Sequence, residues 1–318
     1  MTADKPRLIL IAGPTAAGKS ALAADLAVAA AGAVINADAM QVYRGLPILT
    51  AQPDAATKER ALHLLYEIAD PAEAYSAGKW LGQAKAAVRE SWKNGQTPVL
   101  VGGTGMYFQS LLKGLADIPD IPPHLRAALH AEYQSEGEAA MRARLNQYDP
   151  ASTTTIRPGD QQRLLRALEI VLATGKTQTA WQAEMPKGLL SEADIFPIVL
   201  LPPREELYTA CDQRFTAMLW HGAIDEAKTV LSRQLPATLP ALKIIGLREI
   251  KDYADGVCTL AEATAKAQQA TRNYAKRQVT WFKNQWGGNK IGFTRPALLL
   301  EKFYEAADLA IFERYIWN

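Results

Sequence analysis

Cysteine and histidine are scarce, and their scarcity removes whole classes of protein at once. The 318 residues hold two cysteines, Cys211 and Cys258, which cannot build a disulfide framework and suit a reducing compartment. Both fall in helix-like stretches, as buried thiols do. The four histidines, His63, His124, His130 and His221, have no metal-ligand spacing and no cysteine pair beside them, which excludes a zinc cluster. Excess charge is missing as well. With 35 basic and 33 acidic residues the net charge is +2, so a nucleic-acid partner would have to be met by local basic patches. Long apolar runs are absent: the richest, residues 21–35, is interrupted by Asp25 and Gly32 and falls short of the roughly 20 residues a membrane span needs. The charged start, residues 1–7, is followed by only about six apolar residues, too few for a secretion signal. A cytoplasmic protein without a membrane partner is expected. No internal repeat or low-complexity tract appears. The remainder is an ordinary globular composition, 48% hydrophobic and 21% charged, with room for about two domains.

Against that plain background one octet stands out: Gly13, Pro14, Thr15, Ala16, Ala17, Gly18, Lys19 and Ser20. It fits the spacing of a P-loop, the motif usual in ATP sites, between an apolar run at residues 8–12 and an Ala/Leu-rich helical stretch at 21–31. The glycines let backbone N–H groups curl round phosphate oxygens, while the positive end of the following helix faces the anion. Lys19 supplies a mobile charge, and the Ser20 hydroxyl is placed to ligate Mg²⁺. The plain alternative is a Gly-rich turn joining strand to helix. The octet implies a phosphate without naming its owner.

A second strand at residues 33–36 completes a β-α-β unit and a parallel sheet. Residues 39–54 read as a loop over the sheet edge, 55–65 and 76–94 as helices, and 98–101 as a buried central strand leading into a helix at 106–113. Prolines 119, 122 and 123 mark a boundary, after which the strand signals stop. Residues 125–134, 138–147 and 160–173 read as helices, the last with Asp160 as N-cap. A strand returns at 196–201, followed by helices at 205–221, 224–231, 239–253 and 260–286 and a tail helix at 298–318. The expected fold is α/β, a P-loop NTPase-like parallel core (1–116) with a helical insertion (117–190), then core completion and C-terminal helices (191–318).

Four constellations bear on chemistry. Asp38 ends the second strand and faces the crevice beside the loop, where a carboxylate can bind Mg²⁺ or accept a proton; a turn cap is the alternative. Thr104, in Gly102-Gly103-Thr104-Gly105, reaches the same crevice, or else caps the next helix. Between Lys243 and Lys290 nine basic residues outnumber four acidic ones. Within this stretch Arg272, Lys276 and Lys283 share one helix edge, interleaved with Tyr274, Trp281, Phe282 and Trp286. That mixture suits single-stranded nucleic acid, although taken alone a wet face over an aromatic core accounts for it better. Gln162, Arg163 and Arg166 open the third insertion helix with guanidinium groups on successive turns, suited to phosphate or base edges, although a solvated helix face is the commoner reason for such a pattern.

Together these blocks resemble the tRNA dimethylallyltransferases. The octet is similar to that family's P-loop, residues 36–45 to its Asp-x-x-Gln-Val-Tyr signature (Asp38, Gln41, Val42, Tyr43), and residues 102–107 to its Gly-Gly-Thr-Gly-x-Tyr. Residues 160–169 and 271–282 resemble its insertion-helix and C-terminal-helix signatures. The blocks keep the family's order over residues 8–286. The resemblance implies transfer of a dimethylallyl group from dimethylallyl diphosphate to N6 of adenosine 37 in tRNA. Asp38 would be the general base and Thr104 its neighbour at the reacting centre. The octet would bind the diphosphate with Mg²⁺ on Ser20. Contacts to tRNA would come from Asp38, Ala39, Met40, Gln41, Thr104 and Arg126. Gln162, Arg163, Leu164, Leu165 and Arg166 would add to them, as would Lys243, Ile244, Ile245, Gly246, Leu247 and Arg248. A monomer is expected. Two departures stand out: Leu49 and Gln52 occupy places where the family usually has Gly and Lys, and Gly159 replaces a usual Asn. A small-molecule kinase and a nucleotide-switched RNA-binding protein share the loop; the second would need Asn-Lys-x-Asp, and Asn289-Lys290-Ile291-Gly292 lacks the Asp.

Overall fold

The computed structural model of the chain describes residues 5–317; Met1 to Asp4, in the charged start, and Asn318, in the expected tail helix, lie outside the described residues. The chain divides into two compact units, one formed by residues up to Lys113 together with those from Leu189 onward, the other by Gly114–Gly188.

The first unit begins with β1 (Arg7–Ala12), α1 (Lys19–Ala29), β2 (Ala33–Asn36), α2 (Ala55–Arg60), β3 (Leu62–Leu64), α3 (Ala77–Lys93), β4 (Pro98–Gly102) and α4 (Gly105–Lys113). The second unit holds α5 (Pro123–Tyr148), α6 (Pro150–Thr155), α7 (Gln161–Thr174) and α8 (Gln178–Ala183). The first then resumes with β5 (Asp194–Leu200), α9 (Arg204–Trp220), α10 (Ala223–Leu231), α11 (Leu247–Ala254), α12 (Leu260–Phe282), β6 (Leu298–Leu300) and α13 (Leu309–Trp317).

All six strands pair in parallel in the order β3-β2-β4-β1-β5-β6. Both faces of the sheet are covered, so its strands are apolar throughout rather than alternating. On β1, Leu8 and Leu10 join Ile35, Leu100, Trp80 and Phe108 on the face under α3 and α4. Ile9 and Ile11 point the other way, to Val34, Val99, Leu22, Leu26 and Phe312 under α1 and α13. Each such side chain contributes about 2 kcal/mol on leaving water, which makes this register hard to shift. The parallel arrangement places the carboxyl ends of β1, β2 and β4 side by side, and loops from those ends build the site. Among the described residues, no helix is long and apolar enough to cross a membrane.

The structure corrects four readings of local pattern. The helix expected over 55–65 stops at Arg60, because Ala61 turns extended and Leu62–Leu64 pair with Ala33, Val34 and Ile35. Likewise Leu298, Leu299 and Leu300 pair with Ile198, Val199 and Leu200, so the expected tail helix starts only at Leu309. In both places an open sheet edge outweighs helix propensity. The helix expected over 239–253 is broken by Gly246 at φ 102°, leaving one tight turn and α11. Helix α12 starts on a capping box between Thr259 and Glu262 and ends at Phe282, with a wider π turn continuing to Gly287.

In the second unit Gly137, at φ 79°, interrupts α5, and Leu129, Met141, Leu145, Leu164, Leu165 and Leu168 form the core. Asp160 caps α7 by accepting from Arg163 N at 3.2 Å. Helix α6, not anticipated, is capped by Asp149, which accepts from Ser152 N at 3.0 Å and from its hydroxyl at 2.7 Å.

Candidate active site

The phosphate loop leaves β1 at Gly13, where φ is 149° and a Cβ would stand 2.5 Å from the Leu200 carbonyl oxygen on β5. Only glycine passes so close to a neighbouring strand. Gly18, at φ 83°, opens α1 with no capping side chain, so the first-turn amides are left without a side-chain acceptor, the arrangement that suits an anion. Thr15 to Ala21 line a cavity of about 310 Å³ together with Asp38, Gln41, Gln52, Gly102 and Arg214. Lys19 folds over its own loop and donates to the Pro14 carbonyl at 2.6 Å. Burial lowers the Lys19 pKa to about 8, with Asp38 pulling it up and Arg214 pushing it further down.

Asp38 is held by a turn built on a buried asparagine. The Asn36 amide donates to the Asp38 carbonyl at 3.1 Å and to the Leu65 carbonyl at 3.0 Å, and its oxygen accepts from Asp38 N at 2.8 Å. Trp80 Nε1 donates to the Asn36 carbonyl at 2.9 Å. One Asp38 carboxylate oxygen accepts from Met40 N at 2.9 Å. After the end of β4, Thr104 grips both neighbours of Asp38. Its hydroxyl oxygen accepts from Ala39 N at 2.9 Å, and its own N–H donates to Ala37 O at 3.3 Å. A Cβ on Gly102 would lie 2.1 Å from Ala37 O, so this glycine lets the ends of β2 and β4 close on each other.

Three residues given no site role from the sequence complete the arrangement from α9 and α12. Arg214 donates to the Thr15 hydroxyl. Burial lowers its pKa, and Cys211 and Asp38 oppose that shift; a guanidinium stays charged regardless. Gln278 accepts from Thr15 N at 2.8 Å and donates to Gly103 O at 2.9 Å. The Tyr274 phenol is pushed well above its usual pKa, first by burial and then by the Asp38 carboxylate, with a hydrogen bond to the Thr104 side chain pulling the other way. Tyr274 and Gln278 lie inside the 271–282 block, but neither was assigned a site role there, and no motif covers Arg214: each is one polar residue on a helix whose inward face cannot be fixed from spacing alone.

A second cavity, about 250 Å³, shares Thr15, Asp38, Thr50 and Arg214 with the first. Tyr274, Arg277 and Lys243 are on its polar side, and Met40, Leu49, Cys211, Phe215, Met218, Ile244 and Ile245 make its apolar wall. Asp38 therefore sits where a space lined by the glycine-rich loop meets a largely apolar one.

The remaining residues singled out in the sequence take varied places. Gln41 Nε2 donates to Thr50 O at 3.0 Å and Ala51 O at 2.9 Å, pinning the loop that follows β2. Glu226 holds the same loop by accepting from Ile48 N and Leu49 N, both at 2.8 Å; burial raises its pKa and these two bonds oppose the rise. Ala39 and Met40 are half-buried. Lys243 and Arg248 are exposed, whereas Leu247 is core and Gly246 lies beneath Leu49 and Phe215. The departures at Leu49 and Gln52 also acquire places. Leu49 is buried over Gly246, and Gln52 accepts from Lys58 Nζ at 3.3 Å while its amide donates to Gln41 O at 3.3 Å.

Within the second unit the buried Glu169 carboxylate pairs with Arg126 at 3.3 Å and Arg166 at 3.1 Å. Gln162 and Arg163 are exposed there, but the Leu164 and Leu165 side chains pack inward, so they shape this helix without presenting a surface of their own. The basic edge of α12 is shorter than its spacing suggested. Arg272 is bonded by both Asp212 oxygens at 2.6 Å and belongs to the packing of α9 on α12. Phe282 and Trp286 are core, and the Trp281 ring covers Gly105. Lys276, Arg277 and Lys283 are exposed.

Comparison with known proteins identifies the family. The family model described as IPP transferase matches residues 41–285. A tRNA dimethylallyltransferase of Phenylobacterium zucineum is 45% identical over 284 residues, covering 89% of this chain and 92% of the relative. That of Rhodospirillum centenum is 46% identical over 289 residues, 90% of each chain. Among solved structures, the tRNA isopentenylpyrophosphate transferase of Bacillus halodurans has a TM-score of 0.68 at 32% identity, covering 98% of this chain and 95% of its own. A eukaryotic dimethylallyltransferase acting on tRNA has a TM-score of 0.80 at 28% identity, covering 96% and 78%. With a matching family model over most of its length and full-length relatives this similar, the chain belongs to the tRNA dimethylallyltransferase (IPP transferase) family.

Proposed function

We propose that this enzyme transfers the dimethylallyl group of dimethylallyl diphosphate to the N6 amine of adenosine 37 in tRNA, with Asp38 as general base. The observation that carries the reading is the place of Asp38 on the wall shared by the two cavities. The diphosphate lies in the loop cavity, where the first-turn amides of α1, Lys19 and Arg214 neutralise the charge that grows on pyrophosphate as the allylic C–O bond breaks. The C5 chain and the flipped-out adenine meet beside Asp38. N6 forms the new N–C bond, pyrophosphate leaves with the bonding electrons, and the N6 proton passes to the Asp38 carboxylate. Thr104 keeps that carboxylate in place through Ala37 and Ala39.

Mg²⁺ fits this donor set. Ser20 offers a hydroxyl at the start of α1, and among the described residues no cluster of three or more His, Cys, Asp or Glu could cage a metal. Those conditions suit a hard cation that takes its other ligands from diphosphate and water. When bound, Mg²⁺ adds positive charge at the leaving group. Exposed Lys243, Arg248, Lys276 and Arg277 in the first unit, with Arg126, Gln162, Arg163 and Arg166 in the second, supply contacts to the tRNA backbone.

The test is mass spectrometry of nucleosides from unmodified tRNA incubated with protein, Mg²⁺ and dimethylallyl diphosphate. The wild-type protein yields N6-dimethylallyladenosine at position 37. Asp38→Asn keeps its tRNA affinity and loses roughly a hundredfold or more in rate, the scale of a missing proton acceptor. Unchanged turnover in that variant would remove Asp38 from the base role, and no prenylated nucleoside from wild type would remove the activity.

A further inference from the structure

We propose that Gln278 is a positioning residue for the transfer. It is a single buried side chain that ties the diphosphate loop to the turn holding Asp38, and so sets the separation between donor and acceptor groups. The inference rests on the reaction proposed above.

Gln278 lies on α12 and is 5% exposed. Its carboxamide spans two loops that are remote from it in sequence, by 263 residues to Thr15 and 175 to Gly103. The direction of both bonds is fixed by chemistry. Thr15 N–H can only donate and Gly103 C=O can only accept, so Oε1 faces the phosphate loop and Nε2 faces the Gly-Gly-Thr-Gly turn. A second observation agrees: a Cβ on Gly103 would stand 2.1 Å from Nε2. Any other residue at position 103 would displace the amide.

From Gly103 the connection continues through covalent and hydrogen bonds. Thr104, the next residue, accepts from Ala39 N at 2.9 Å and donates to Ala37 O at 3.3 Å, on either side of Asp38. From Thr15 it enters the loop that carries Lys19 and Ser20, and Arg214 holds the same threonine by its hydroxyl. The two halves of the reaction, stabilisation of the leaving pyrophosphate and removal of the N6 proton, are thus braced against one amide. Without it, Thr15 N–H and Gly103 C=O lose buried partners, and each loop is free to settle on its own. A misplacement on the ångström scale is enough to slow a reaction that depends on approach distance.

The experiment is single-turnover prenylation of tRNA by full-length Gln278→Met, whose side chain keeps the volume and loses both bonds, beside wild type, Thr104→Ala and the double variant. In folded Gln278→Met the single-turnover rate falls about tenfold or more, while affinity for dimethylallyl diphosphate changes by less than about threefold. In the Thr104→Ala background the same substitution adds less than about twofold, because both act on one turn. A rate within about twofold of wild type in folded Gln278→Met, or losses that multiply in the double variant, overturns the proposal. Where Gln278→Met does not fold, Gln278→Glu reads the same point. It keeps the acceptor for Thr15 and loses the donor to Gly103, so the same loss is expected and a wild-type rate overturns the inference. The reaction itself fails only if wild type makes no prenylated nucleoside, an outcome distinct from variants that match an active wild type.

Discussion

Raising the pH through 8 should loosen the phosphate loop's hold on its anion, and the reason lies in Lys19. Its pKa is lowered from 10.5 to about 8, chiefly by burial, with Asp38 opposing and Arg214 assisting the shift. At 1.36 kcal/mol per unit, keeping this ammonium charged in the folded protein costs up to about 3 kcal/mol. The folded pKa is below the unfolded one, so that cost is present in full below about pH 8. It is relieved as pH rises towards 10.5, and stability gains with pH across this window. Anion binding runs the other way, because a diphosphate favours the charged form. About nine-tenths of free enzyme carries the Lys19 charge at pH 7 and about one-tenth at pH 9, so affinity should weaken about tenfold between them. Isothermal titration of dimethylallyl diphosphate across this range reads the effect. Lys19→Arg, charged throughout, serves as the reference that removes the ligand's own ionisation. Wild-type affinity should fall about tenfold more than that of Lys19→Arg, with proton uptake on binding near pH 9 seen only in wild type. Parallel curves for the two proteins would refute the placement of Lys19 as a partly neutralised loop lysine.

Two further expectations concern packing. Gly246→Ala puts a methyl group 2.8 Å from Leu49 Cδ2 and 3.0 Å from Phe215 Cε2 on a backbone at φ 102°. The strain should cost about 1–3 kcal/mol and lower Tm by several degrees in a thermal-shift assay; an unchanged Tm would mean that the Leu49 lid yields freely. Arg272→Ala and Lys276→Ala should separate stability from RNA contact. Loss of Arg272 strands the Asp212 carboxylate and lowers Tm without altering the salt dependence of tRNA binding. Loss of exposed Lys276 spares Tm and reduces the slope of log K against log salt by roughly one unit, and equal slopes in both variants would count against that division.

The parallel core was legible because its signals are local. Strands buried on both faces read as unbroken apolar runs at residues 8–12 and 98–101, and both became inner strands of the sheet. The outer strands were not legible for the same physical reason in reverse. Leu62–Leu64 and Leu298–Leu300 are three residues each, too short to show a period, and they become strands only because the edges of β2 and β5 are there to receive them. Gly246 was recognised as a feature, yet its effect, ending one turn and starting α11 at another angle, comes from a left-handed φ that composition alone does not reveal. On α12 and the turn after it the spacing left two readings open, an RNA-facing mixture and a wet face over an aromatic core. The fold sorts these residues by depth: Phe282 and Trp286 fill the core, Arg272 pairs with Asp212, and Lys276 and Arg277 remain for solvent.

The same contrast divides the active site, and it follows from how a parallel sheet builds one. Loops at the carboxyl ends of β1, β2 and β4 come with fixed turn chemistry. Thr15 to Ser20 and Asp38 line one crevice, and Thr104 is bonded to Ala37 and Ala39 on either side of Asp38, as strand-end loops allow. What closes that crevice arrives from helices late in the chain, and there a single residue carries the role with no motif around it. Arg214 and Gln278 converge on Thr15 from α9 and α12, whose mutual packing includes the Arg272–Asp212 pair. A helix face becomes readable only when its partner is known, since 3.6-residue periodicity gives the direction of the apolar stripe but not which polar neighbour is drawn in with it. Gln278 is such a residue, flanked in sequence by exposed Arg277 and half-buried Val279. Its burial is explained by the two loops it joins, so the strand-end motifs supply the reacting groups and the late helices supply the distance between them.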